Sequence, residues 1–292
     1  MIAALFIALG ILTIAFVAVW INEVRKHPDM PDPGAPDAER IAVGFFANFF
    51  DALGIGSFAT TTTYVRLRKI VADELIPGTL NVGHCLPTIT QAFIGIAIIE
   101  VDVTTLVLMI ASAVAGSWYG AGVVAKMPRR AIQVGMGLAL LIAAGFMFAS
   151  VSGIMPSGGE TLGLSGAGWA IGLVGSFLLG SIMPLGIGYY APCMILIAML
   201  GMSPRAAFPI MMGACAFLMP VAGMQFVRKQ KHSHRASVGL AIGGIFGSAL
   251  ALLVVKNLPL YYVKWLVFVV VIYTGISLLR TAAGEKVTAA RA

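Results

Sequence analysis

The sequence Leu-Gly-Ile-Gly occurs at residues 53–56 and again at residues 185–188, each time inside a long apolar run. Two glycines one residue apart interrupt a membrane helix and leave its backbone amides accessible, because glycine has no side chain. Hydroxyl or aromatic residues follow each copy, Ser57 in the first and Tyr189 and Tyr190 in the second. We expect the two breaks to meet near the middle of a bilayer and to bind an anion between them.

Composition indicates that the rest of the chain lies in a membrane. Of the 292 residues, 59% are hydrophobic and 11% are charged, whereas soluble domains have about 25% charged residues. Uncharged stretches at residues 2–21, 161–204, 206–227 and 237–255 are long enough to cross a bilayer, which takes about 20 apolar residues. The sequence therefore predicts an all-α polytopic membrane protein whose environment is the lipid bilayer.

The net charge of +7 comes from basic residues clustered in short loops. This distribution is typical of the cytoplasmic loops of membrane proteins, so we expect no nucleic-acid partner. Cys85, Cys193 and Cys215 lie in apolar segments without CxxC spacing, and His232 and His234 lie in a charged loop. We therefore expect no disulfide, no metal site and no cofactor.

The two halves of the chain align at an offset of roughly 132 residues, which indicates an internal duplication. Gly54 and Gly56 fall on Gly186 and Gly188, and Pro77 falls on Pro209. The predicted organisation is a leading transmembrane helix (1–22), a solvated polar linker (23–40), a first repeat (41–152), a connecting loop (153–168), a second repeat (169–280) and a C-terminal tail (281–292).

Loop charge predicts how the repeats cross the membrane. If each broken run enters the membrane and returns as a hairpin, the basic loops at Arg66, Arg129 and Arg228 share one side. The acidic positions Glu100 and Glu160 then lie on the other side. Each repeat is a re-entrant hairpin plus three spanning helices, and this odd number inverts the second repeat relative to the first. Nine plain spans are the alternative.

The duplicated pattern resembles the TauE/SafE-type sulfite exporter family, also called the toluene sulfonate uptake permeases. The resemblance is closest over residues 180–280, in Leu-Gly-Ile-Gly-Tyr-Tyr-Ala-Pro and in the turn Gly-Met-Ser-Pro-Arg-Ala-Ala. The first half departs from the family pattern, since Ser57 takes the third place of its triple-glycine run. The resemblance implies a transporter of anions, chiefly sulfite, sulfonates and related organic acids.

Broken helices in inverted repeats place half-helix N-termini at the membrane midplane, where free N–H groups and the positive dipole end suit an anion. Hydroxyl groups after each break would donate further hydrogen bonds, unless the threonines bond to their own helix backbone. Asn81, His84 and Gln91 would line the path or join helices to one another. The predicted substrate-binding residues are Gly54, Ile55, Gly56, Ser57, Thr60, Thr61, Thr62, Asn81, His84, Gly186, Ile187, Gly188, Tyr189 and Tyr190.

Asp51 is the one acidic residue in the first broken run, and an intramembrane carboxylate is by default a functional candidate. It would either exchange a proton during transport or cap the glycine turn by accepting N–H bonds. Met183 stands at the matching place in the second repeat, so a proton-coupling role would belong to one repeat only.

These features predict a secondary transporter for a small anion in the bacterial inner membrane, not an enzyme. An intramembrane lipid-phosphate enzyme is one alternative, but paired carboxylates and a Gly-x-Ser-x-Gly elbow are lacking. A non-transporting membrane subunit is the other. The sequence leaves the oligomeric state open, and a homo-oligomer is compatible with it.

Overall fold

The computed structural model describes residues 2–53, 55–95, 101–154, 158–254 and 261–289, and every regular element in these ranges is helical. Seven of the described helices are long and apolar enough to cross a membrane. The chain is therefore an all-α polytopic membrane protein, as predicted. Its helices are α1 (Ile2–Lys26), α2 (Ala38–Ala52), α3 (Ser57–Leu67), α4 (Ile76–Gly83), α5 (Cys85–Gly95), α6 (Val103–Val124), α7 (Arg129–Val151), α8 (Gly168–Ile182), α9 (Tyr190–Met199), α10 (Pro204–Arg228), α11 (His234–Val254) and α12 (Tyr261–Ala289).

Helices α2 and α3 form a re-entrant hairpin. Asp37 begins α2 by accepting a hydrogen bond from the backbone N–H of Arg40 at 2.9 Å, as an N-cap does. Glu39, in the first turn of α2, accepts hydrogen bonds at 2.9 Å from Tyr64 and from Arg68, at the far end of α3. The entry and exit of this hairpin therefore lie on the same side of the molecule.

Helices α8 and α9 form the second hairpin. A Cβ built on Gly172 of α8 would lie 3.4 Å from the Leu200 side chain, just after α9, and one built on Gly175 would lie 2.7 Å from Leu196. Ser203, which follows α9, donates its backbone N–H to the Thr161 carbonyl before α8 at 2.8 Å. By length and composition α8 could also cross the membrane, but these contacts make it one arm of a hairpin.

The contacts between helices repeat in the two halves, as an internal duplication requires. A Cβ on Gly247 of α11 would lie 2.1 Å from the Phe45 carbonyl of α2, and one on Gly116 of α6 would lie 2.0 Å from the Phe177 carbonyl of α8. Phe45 and Phe177 are related by the predicted offset of roughly 132 residues. Each hairpin thus packs its first helix against a long helix of the other repeat, α2 on α11 and α8 on α6.

The basic loops lie on one face of the bundle. Arg129, at the start of α7, is 3.8 Å from Asp73 in the 3₁₀ turn before α4. The backbone N–H of Ser233, between α10 and α11, donates to Thr79 of α4 at 2.9 Å. We call this the basic face. Glu160 belongs to the opposite face, where Asp102 donates its N–H to the Leu162 carbonyl at 2.9 Å; Glu100 lies outside the described residues.

Two segments have features that the sequence did not predict. Most of the linker before α2 is exposed or half-buried, but it is not free: Met30 is buried, and Pro31 and Asp32 accept backbone hydrogen bonds from the start of α11. The helical segment after Pro77 is divided into α4 and α5 at His84, where the backbone N–H of His84 still donates to the Leu80 carbonyl at 3.0 Å. The His84 side chain packs inward between other helices, as described below.

Candidate functional site

The tip of the first hairpin is shaped by Gly56 and closed by Asp51. Gly56 has φ +92°, a conformation that residues with side chains rarely adopt. The Asp51 carboxylate accepts the backbone N–H of Ser57 at 2.7 Å and so caps α3. Ile55 is buried beside this turn, and Gly54 lies outside the described residues. The cap is one of the two roles predicted for Asp51, and its negative charge suits the N-terminal end of a helix.

A single side chain, Gln91 of α5, connects the two hairpins. Its amide nitrogen donates to Asp51 at 2.9 Å and to Ser248 of α11 at 3.1 Å. Its amide oxygen accepts the Tyr190 hydroxyl at 3.2 Å, at the start of α9. Gln91 and Asp51 are buried. One central hydrogen-bond network therefore contacts the start of α3, through its cap Asp51, and the start of α9, through Tyr190.

The second tip differs from the first. Gly186, not Gly188, has the left-handed conformation, with φ +112°. A 3₁₀ turn over Met183–Leu185 precedes it, and Ile187 is half-buried. Among the described residues, no side chain accepts a hydrogen bond from the N–H groups that begin α9, and Met183 stands at the place that Asp51 occupies in the first repeat. Within the described ranges, the N–H groups at the start of α9 therefore have no side-chain acceptor comparable to the Asp51 carboxylate that binds the N–H of Ser57.

The two tyrosines after the second break have different surroundings. Tyr189 is buried, and its hydroxyl is 2.8 Å from the Ser176 hydroxyl inside the same hairpin. Ser176 in turn donates to the Met109 carbonyl of α6 at 2.8 Å. Tyr189 therefore holds α9 to α8 and α6, and of the two tyrosines Tyr190 is the one that contacts the central network.

The hydroxyls along α3 also divide by their partners. Thr60 donates to the backbone of its own helix, at 3.1 Å to Gly56 and 2.9 Å to Ser57. Thr61 lies 3.0 Å from the His84 ring. The hydroxyls of Thr62 and Thr63 are buried and have no hydrogen-bond partner within the described ranges. A buried hydroxyl without a partner is costly, and both groups retain unused hydrogen-bonding capacity.

His84 and Asn81 contact different parts of the site. The His84 ring is buried between Thr61 of α3 and Asn48 of α2, 3.0 and 2.9 Å away respectively. Asn81 donates to Pro77 of its own helix at 2.8 Å and to the Pro184 carbonyl, beside the second tip, at 3.1 Å. His84 thus supports the first hairpin, whereas Asn81 contacts the second.

Both tips leave room beside their backbone. A Cβ built on Gly56 or on Gly188 would meet no described atom within 4 Å. Sequence reasoning placed a ligand here but missed Asn48, Thr63, Ser176 and Ser248. Their signal is the same as that of Asn81 and His84: each is a polar residue in an apolar run. Which of them face the site depends on packing between helices that are distant in sequence.

Comparisons with protein-family models, with curated proteins and with solved structures gave no match for this chain. The class of protein therefore follows from the fold and the site. It is a polytopic α-helical membrane protein with two related repeats, each of which begins with a glycine-broken hairpin.

Proposed function

We propose that this protein is a secondary transporter that moves a small anion between its two hairpins. The supporting observation is the junction at Gln91, where Asp51 of the first hairpin and Tyr190 of the second bind one side chain inside the bundle. Irregular backbone within a membrane is tolerated where it lines a cavity or is buried in protein. Duplicated, broken hairpins are also how secondary transporters build midplane binding sites.

The proposed ligand is a singly charged oxyanion such as bisulfite, a sulfonate or a short carboxylate, in line with the resemblance to the sulfite exporter family. The sequence has no lysine or arginine over residues 41–65 or 131–204. The ligand would therefore bind to the amides that begin α9 and to hydroxyls of α3. A dianion held by dipoles alone in a low-dielectric interior would be costly, and Arg66 at the end of α3 is already paired with Asp73, so we propose a singly charged ligand.

Proton coupling belongs to the same proposal. Asp51 already accepts hydrogen bonds from Ser57 and Gln91. Bringing a second negative charge close to an ionised Asp51 would be unfavourable in this setting. Asp51 would therefore be protonated while the anion is bound, and the proton would move with it. The basic face would lie in the cytoplasm of a bacterial cell, with the protein in the inner membrane.

The test is a ligand screen followed by transport. Purified protein is heated with sulfite, thiosulfate, sulfonates or short carboxylates, because a ligand that binds only the folded state raises its stability. Compounds that raise the melting temperature are then tested for uptake into proteoliposomes. Stabilisation followed by saturable uptake supports the proposal. Hydrolysis of a lipid phosphate, or no uptake of any stabilising anion, would instead favour the enzyme or the subunit.

A further inference from the structure

A cleft of about 700 Å³ opens at the basic face, away from the hairpin tips. Its walls are the end of α3 with the turn that follows, the start of α7, and α12. Lys69, in that turn, and Arg129, at the start of α7, are exposed at the cleft. A solute or a lipid headgroup can therefore reach the cleft without entering the bundle core.

The charges in this cleft are predominantly positive. Arg66, Lys69 and Arg129 line it, and Asp73 is the one acid among the described lining residues. Asp73 is already paired with Arg66 and accepts a hydrogen bond from Gln133 at 2.9 Å. Even when Glu74, which is 3.7 Å from Arg129, is counted against that arginine, one positive charge remains among the lining residues. Lys69 has no ion pair or side-chain hydrogen bond among the described residues.

Helix α12 contributes hydroxyl groups to the same cleft. Thr274, Ser277 and Thr281 line it and share one face of the helix. The Thr274 and Thr281 hydroxyls donate to carbonyls of their own helix at 2.9 Å. The Ser277 hydroxyl donates to no described residue, so it can donate to a ligand. Thr281 also accepts a hydrogen bond from Arg66 at 2.9 Å, which holds that guanidinium against α12.

We propose that this cleft is an anion-binding site for a tetrahedral oxyanion, the chemistry shared by free phosphate or sulfate and by the phosphodiester headgroup of an anionic lipid. Arginine, lysine and hydroxyl donors converging on one space match the several acceptor oxygens of such a group. Basic pockets between transmembrane helices at the cytoplasmic surface are where lipid headgroups bind. A cleft of about 700 Å³ also has room for a headgroup larger than an inorganic ion.

This proposal goes beyond the proposed transport function and can be tested apart from it, because binding is measured without transport. Purified full-length protein in an uncharged detergent is titrated with sodium phosphate, with sodium chloride at equal ionic strength as the reference. In a second arm the protein is placed in nanodiscs of phosphatidylcholine with or without phosphatidylglycerol, and bound lipid is counted by native mass spectrometry. Melting temperature is recorded in both arms.

The test variant is Lys69→Asn. Lys69 has φ +55°, and asparagine tolerates this left-handed conformation well, so the substitution removes the charge and keeps the turn. Lys231→Asn is the matched control, since Lys231 is exposed on the same face and does not line the cleft. Loss of one charge-assisted hydrogen bond predicts about tenfold weaker binding for Lys69→Asn, and no change for Lys231→Asn.

Phosphate binding that Lys69→Asn weakens would assign the site to a soluble oxyanion, and retention of phosphatidylglycerol that Lys69→Asn weakens would assign it to a lipid. Both results support the proposal. Ser277→Ala provides a second check, because it should weaken binding without altering the charge. The proposal is overturned if phosphate acts as chloride does and phosphatidylglycerol is not retained, or if Lys69→Asn and Lys231→Asn bind equally well.

Discussion

At the scale of single residues, Asp51 forms two hydrogen bonds in the structure and is proposed to couple anion transport to proton movement. It caps α3 through Ser57 and accepts from Gln91. Asparagine caps a helix about as well as aspartate, whereas alanine loses about 1 kcal/mol. We therefore expect Asp51→Asn to keep the fold and to bind the anion while its transport no longer moves protons. Anion uptake and internal pH would be recorded together in proteoliposomes.

Asp51→Ala is the partner variant for this experiment. It removes both acceptors, the cap on Ser57 and the partner of the Gln91 amide, whereas the single amide oxygen of Asp51→Asn keeps the cap. Asp51→Ala should therefore lower the melting temperature more than Asp51→Asn does. Unchanged proton movement in Asp51→Asn would show that the carboxylate is a structural cap and nothing more.

His232 predicts an acid-sensitive fold. It lies fully buried in the loop between α10 and α11. Burial, with the neighbouring His234, lowers the pKa of His232 from 6.5 to about 4. The unfolded chain takes up this proton near pH 6.5, but the folded chain does not until about pH 4. The free energy of unfolding is therefore highest at neutral pH and falls as the pH drops from about 6.5 to about 4.

Between pH 7.5 and pH 5 this one histidine should cost the folded state about 2 kcal/mol. His232→Phe, which cannot take up a proton, should flatten the dependence of melting temperature on pH over that range. His27→Gln is the control, because His27 is exposed. An equally steep fall in wild type and His232→Phe would contradict the assignment.

At the scale of helices, glycine sets how closely the hairpins pack. A Cβ on Gly116 would lie 2.0 Å from the Phe177 carbonyl oxygen, so Gly116→Ala must move α6 from α8. Overpacking of this kind costs about 1–3 kcal/mol. Gly145 of α7 has no described atom within 4 Å of an added Cβ, and alanine favours a helix there. We expect a clear fall in melting temperature for Gly116→Ala and none for Gly145→Ala; equal stability would refute this packing.

The sequence could predict the two hairpins, because a closely spaced pair of glycines in an apolar run is typical of a broken membrane helix. It could not predict which glycine takes the left-handed conformation. Gly188 aligns with Gly56, yet in the second repeat Gly186 is the glycine with the left-handed conformation. Likewise the division of α4 from α5 at His84 accompanies contacts with Asn48 and Thr61. A helical sequence pattern cannot predict either contact, because Asn48 and Thr61 belong to other helices.

At the scale of the whole molecule, the duplication and the grouping of basic loops were predictable from the offset and from loop charge. The pairing of α2 with α11 and of α8 with α6 was not, because both pairs cross between repeats. The cleft beside Lys69 could not be predicted from the sequence either. It combines side chains from α3, α7 and α12, and their joint positions follow from packing.

The hairpin topology predicts opposite membrane sides for two exposed positions. Lys231 lies at the basic face and Glu160 at the opposite face. In whole cells, a membrane-impermeant thiol reagent should label Glu160→Cys and not Lys231→Cys. The native cysteines are buried and give a low background. Labelling of both positions, or of Lys231→Cys alone, would contradict the proposed orientation.

The most direct test of the central claim is uptake of radioactive sulfite into proteoliposomes by three variants of α3. Valine has nearly the shape of threonine but no hydroxyl. Thr62 and Thr63 have buried, unpartnered hydroxyls among the described residues, whereas the Thr60 hydroxyl already donates to its own helix. If an anion passes along α3, Thr62→Val or Thr63→Val should lower uptake about tenfold, the value of one such hydrogen bond, while Thr60→Val transports as wild type does. Undiminished uptake in all three variants would contradict passage of the anion along this helix.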